Sequence, residues 1–178
     1  MTGPRLLPLP EDEWTDEVRE MFRPIEEYNG RVYNIFRTLA RHPKLLKRWL
    51  VFANHCLIKS TLGPRERELV ILRAGWLCKS DYEWIQHQRI ARAAGLSRDE
   101  IERVKQGSEA KGWSEIDALL LAATDELLDS KTLGEETWAA LKQHFGEQQI
   151  IDLIFTAGNY ALLAMALNAF GVEVDEGL

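Results

Sequence analysis

Residues 62–97 read LGPRERELVILRAGWLCKSDYEWIQHQRIARAAGLS. The run opens on a break, Thr61-Leu62-Gly63-Pro64, and Pro64 suits the first turn of a helix. That turn carries Glu66 and Glu68, and Leu69, Val70, Leu72, Ala74, Trp76 and Leu77 are the helix's apolar members. A second helix runs from Ser80 to Ala94 and is closed by Gly95. Cys78-Lys79-Ser80-Asp81, with Ser80 as a cap, supplies a turn between the two.

The same reading extends outward. Thr15 to Tyr28 is amphipathic through Val18, Met21, Phe22 and Ile25, and Asn29-Gly30 ends it. Tyr33 to Arg41 follows, then a helix from Pro43 to about Lys59. Ser97-Arg98-Asp99-Glu100 is a capping box for a helix that stops before Gly107. Ser114 to Leu128, Gly134 to Phe145 and Glu147 to Phe170 complete the set. The last is apolar nearly all round, as in a central helix or one at a subunit interface. No period-2 strand pattern occurs, so the expected fold is all-α. The expected organisation is an extended arm over residues 1–14 and a single helical domain over 15–178.

Composition narrows the function. A length of 178 residues suits one domain with its own core. A net charge of −6 argues against nucleic acid or an anionic membrane as partner. No apolar run was read as reaching the ~18 residues of a membrane span. The proline-rich start is unlike a secretory signal. The two cysteines, Cys56 and Cys78, form no disulfide framework, which fits a reducing cytoplasm. The four histidines fall on separate helices, so no metal site is expected, and no glycine-rich phosphate loop occurs.

The chemistry concentrates in SDYEWIQH, residues 80–87. One reading is structural: Ser80-x-x-Glu83 is a capping box, in which the Glu83 carboxylate returns to the Ser80 amide. The other is chemical. Glu83 and His87 share one helix face, with Trp76, Tyr82 and Trp84 as aromatic walls, the parts of a general acid–base pocket. Glu68 lies nineteen residues before His87, roughly 28 Å along a straight helix. It can join them only if the chain turns at Cys78–Asp81.

The runs NIFRTLARHPKLL at 34–46 and LGPRERELVILRAGWLCKSDYEWIQHQRIARAAGLS at 62–97, with the tail YALLAMALNAFGV at 160–172, resemble the carboxymuconolactone decarboxylase superfamily, which includes AhpD. The resemblance implies an AhpD-like helical bundle with a helical hairpin at its heart, assembled as a homo-oligomer (dimer, trimer or hexamer). In the AhpD branch the motif is a glutamate, eleven residues, then Cys-x-x-Cys-x-x-x-His. Its glutamate falls on Glu68 and its histidine on His87, while the cysteines fall on Ser80 and Glu83. A dithiol mechanism is thereby lost, because neither a hydroxyl nor a carboxylate replaces a thiolate. The pattern is similar to that of the decarboxylase branch, which uses no cofactor.

The expected function is a cofactor-independent small-molecule enzyme of the lyase type. Glu83, His87 and Glu68 are its candidate catalytic groups; Tyr82, Trp84, Ser80 and Arg73 would bind the substrate, a carboxylated or aromatic-derived compound. Two alternatives stand beside it: a peroxidase-related redox protein acting through Cys78, and a non-catalytic oligomeric binding protein.

Overall fold

A computed structural model describes residues 3–177; residues 1–2 and 178, the outer ends of the expected arm and domain, lie outside that description. The described residues form helices joined by short connections, with no strand among them. The helices are α1 (Asp16–Asn29), α2 (Asn34–Leu39), α3 (Pro43–Asn54), α4 (Pro64–Leu77) and α5 (Asp81–Ala93), followed by α6 (Arg98–Val104), α7 (Glu115–Asp129), α8 (Glu135–His144) and α9 (Glu147–Phe170). Thr15, Ser80, Ser97 and Ser114 cap α1, α5, α6 and α7. Each side chain accepts a backbone N–H three residues on.

One boundary differs from the sequence reading. The helix expected to run to Lys59 is α-helical only to Asn54 and then widens into a π-helical turn, His55–Lys59. Contacts to α9 hold this turn. His55 Nε2 lies 2.7 Å from Asp152 Oδ1, and the buried Cys56 thiol reaches the Phe155 carbonyl at 3.9 Å. Asp152 Oδ2 also accepts the Thr61 amide and hydroxyl, at 2.6 and 2.7 Å.

Helix α4 is the axis of the fold. Every residue from Glu68 to Gly75 is buried, and α5, α7 and α9 pack around it. Leu69, Leu72, Trp84, Leu120, Leu121 and Leu153 belong to the main apolar core. A second core joins α1 to α3 through Val18, Phe22 and Leu46. The N-terminal arm is docked: the Arg5 and Leu6 amides donate to the Phe170 carbonyl, and the Leu9 amide to that of Arg37.

Helix α9 corrects one expectation. It has the length and apolarity of a membrane-crossing helix, although half of that stretch is packed inside the fold. It is not buried all round. Leu153, Ala157, Tyr160, Ala164 and Leu167 face inward, while Ile151, Phe155, Leu162 and Met165 are more than half exposed.

Two residues expected to bind substrate serve the scaffold instead. The Tyr82 hydroxyl donates to Asp175 Oδ2 at 2.6 Å, and the Ile35 amide donates back to it at 3.3 Å. Burial first, then the bond to Asp175, push this phenol well above its usual range, so it remains a donor. Asp175 also accepts from Gln86 Nε2 and the Asn34 amide, which ties the C-terminal tail to α5 and α2. Arg73 is a clamp between helices. It grips Asp125 with Nε and Nη2, at 2.5 and 3.0 Å, and caps α6 by donating to the carbonyls of Val104 and Lys105. These bonds occupy the polar atoms of both side chains.

Tyr82→Phe removes a donor from a buried carboxylate. It is expected to lower the unfolding free energy by about 1–3 kcal/mol in a urea titration, with helix content unchanged.

Candidate active site

The hairpin turn places the site. Three hydrogen bonds close α4: Cys78 N–H to Ala74 O at 2.9 Å, Lys79 N–H to Trp76 O at 3.0 Å, and Ser80 N–H to Gly75 O at 2.9 Å. The last two form a Schellman motif, with Lys79 in the left-handed position at φ +53°. Ser80 therefore ends one helix with its amide and starts the next with its hydroxyl, which accepts the Glu83 amide at 3.4 Å.

This double use decides between the two readings of SDYEWIQH. A capping box needs a free Ser80 amide for the Glu83 carboxylate, and that amide is already bonded to Gly75. The contrast is Ser97, whose amide has no competing acceptor and donates to Glu100 Oε2 at 2.8 Å in a complete box. The Glu83 carboxylate instead lies inside the protein, 3.5 Å from His87 Nε2. Close approach of α4 permits this. A Cβ built on Gly75 would meet Glu83 Cβ at 3.2 Å, so the glycine keeps the two helices together.

Glu68 completes the group. From α4 its Oε2 lies 2.8 Å from His87 Nδ1, and its Oε1 accepts from Arg67 Nε at 3.2 Å. The turn thus brings together the three candidate catalytic residues, all buried. Tyr160 of α9 stands edge-on to the imidazole, with ring centroids 4.9 Å apart. In the sequence it only opens the run YALLAMALNAFGV at 160–172, and nothing there links it to His87.

The electrostatics follow from burial. Desolvation raises the Glu83 carboxyl to about 7; the charge of His87 opposes it, and the charge of Glu68 adds a smaller upward push. For His87, burial favours the neutral ring. The charge and hydrogen bond of Glu68, with the charge of Glu83, outweigh it and raise the imidazole above its ordinary value. Burial and both carboxylates hold the Tyr160 phenol far above its usual range. A carboxylic acid near neutrality beside an imidazole oriented by a second carboxylate can pass a proton in either direction at physiological pH.

Further polar side chains serve the scaffold. Arg65 bridges Glu100 and Asp117 at 2.6 and 2.9 Å. Asn159 accepts from Trp49 Nε1, and Asn168 caps α4 by donating to the Cys78 carbonyl. Burial raises both thiols, Cys56 to about 11. Ser80 and Trp84 line a surface cavity of about 470 Å³ at the hairpin turn, together with Gly75 and Trp76. Gly75 separates this cavity from Glu83.

The carboxymuconolactone decarboxylase family model matches residues 43–125, a span that contains Glu68, Glu83 and His87. Among solved structures, a peroxidase-related protein with an alkylhydroperoxidase AhpD core from Ralstonia eutropha JMP134 superposes with a TM-score of 0.86. It is 19% identical over 99% of this chain and 94% of its own. A peroxidase-related protein from Silicibacter sp. TM1040 gives 0.85 at 19% identity over 98% and 94%. The debrominase Bmp8, in a cysteine-to-alanine variant holding 2,3,4-tribromopyrrole, gives 0.80 at 14% over 96% and 91%. No curated protein sequence matches the chain.

Two outcomes test this geometry. Lys79→Gly relieves a left-handed residue and is expected to raise stability by about 1 kcal/mol in chemical denaturation. Because Glu83 is raised from 4.5 to about 7 on folding, the native state binds more protons than the unfolded chain across that interval. Stability is then expected to fall as pH rises from 4.5 to 7, and His87 shifts in the same direction. Denaturation at several pH values should show Glu83→Gln flattening this slope.

Proposed function

We propose that this chain belongs to the carboxymuconolactone decarboxylase and AhpD-like superfamily and is a cofactor-independent lyase of the decarboxylase type, with Glu83 as its acid. The observation that carries the reading is the Glu83 carboxyl, raised to about 7 and 3.5 Å from a histidine anchored by Glu68. In such a reaction the substrate carboxylate leaves as carbon dioxide, and its bonding electron pair passes into a conjugated carbonyl as an enolate. Glu83 delivers its proton to the carbanionic carbon. His87 restores that proton, and Glu68 holds Nδ1 so that Nε2 faces Glu83. The Glu83 side chain must swing past Gly75 to meet a substrate in the cavity.

Redox chemistry through Cys78 is disfavoured. The thiol is raised by burial, which lowers its thiolate fraction, and Ser80 and Glu83 stand where a dithiol would.

The test is carbon dioxide release from a carboxylated muconolactone and a panel of related β,γ-unsaturated carboxylated lactones. Glu83→Gln and His87→Ala are each expected to lower kcat by about 10²-fold or more, with native helix content. Full turnover by both variants would end the assignment.

A further inference from the structure

The cavity at the hairpin turn has a feature that proton transfer does not use. Glycine takes the left-handed position after α1, α5 and α9, at Gly30, Gly95 and Gly171. After α4 that position is Lys79, at φ +53°, where a side chain costs backbone strain. The other non-glycine case, Lys131, has a local reason: its ammonium donates to the Leu128 carbonyl and caps α7. Lys79 makes no ion pair or side-chain hydrogen bond among the described residues, and it lines the cavity.

The Trp76 and Trp84 rings lie 5.5 Å apart at 60° and both line the cavity. Lys105 fixes their orientation. Its Nζ sits 5.1 Å from the Trp76 ring centroid and 5.0 Å from that of Trp84, and Glu102 holds it at 2.7 Å. Lys105 is not part of the lining. Asp81, which also lines the cavity, begins α5. The cavity thus presents the exposed Trp76 indole beside the buried Trp84, with the Lys79 ammonium and the Asp81 carboxylate on the same lining.

We infer that this cavity binds an aromatic ring bearing one carboxylate, with the ring against Trp76 and Trp84 and the carboxylate on Lys79. The inference is one of binding and stands apart from the catalytic reading of Glu83. Ring-to-indole contact supplies most of the buried area. The ammonium supplies discrimination between a charged ligand and its neutral counterpart.

The probe is benzoate, with benzamide lacking the charge and cyclohexanecarboxylate lacking the aromatic face. Titration is followed by NMR on the six indole N–H resonances, with Trp76→Phe and Trp84→Phe to assign two of them. Benzoate should shift the Trp76 and Trp84 signals saturably, and each control should bind roughly five- to tenfold more weakly. Lys79→Gly, which removes strain and therefore folds, should weaken benzoate about fivefold and leave benzamide unchanged. Equal affinity for benzoate and benzamide, an unaffected Lys79→Gly variant, or shifts confined to the other tryptophans would overturn the inference. Glu83→Gln separates the two proposals, since benzoate affinity should survive it while decarboxylation does not. Benzoate binding without Glu83-dependent turnover would keep the site and remove the catalytic assignment.

Discussion

The hydrogen bond from the Ser80 amide to the Gly75 carbonyl is the constraint on which the site depends. It closes α4 and reverses the chain at once, so α5 starts on the residue that ends the previous motif. Without that reversal Glu68 and His87 would be far apart on one helix. With it they meet at 2.8 Å. The same bond occupies the donor that Glu83 would otherwise seek, which leaves the carboxylate to the interior. One amide thus sets both the proximity of the group and its chemistry.

A buried carboxylate is stable only where something compensates its lost hydration. Glu68 has two such partners, the His87 ring and the Arg67 guanidinium. Glu83 has only the imidazole at 3.5 Å, so burial acts on it with less opposition. Its carboxyl rises to about 7, where protonated and ionised forms coexist. The asymmetry separates the two: Glu68 is held to the ring by a hydrogen bond, while Glu83 stands between its protonated and ionised forms.

The surrounding helices pack against this hairpin. Arg73 ties α4 to α7 and to the end of α6, while Tyr82 and Gln86 tie α5 to the tail through Asp175. Helix α9 contributes Tyr160 from the remaining side. These bonds are long in sequence and short in space, so the hairpin is braced on three sides. Its turn stays accessible, and there the cavity opens between Trp76, Lys79 and Trp84.

The helices themselves were legible because apolar spacing, proline starts, serine caps and glycine ends are local signals, and each acts within one or two turns. The candidate trio was legible too: Glu83 and His87 share a face by spacing alone, and Glu68 needed only a turn at Ser80. Two Ser-x-x-Glu segments, however, read identically and behave differently. Ser97 keeps its amide for Glu100, while Ser80 spends its amide on Gly75. Only the path of the preceding helix makes that difference. The side chains of Tyr82 and Arg73 were likewise decided by partners about 50 to 90 residues away, beyond any local pattern. The sequence by itself determined an all-α chain and the residues able to carry its chemistry. The tertiary structure alone decided which of them turn inward, because hydrogen-bond competition and burial depend on neighbours that spacing cannot identify.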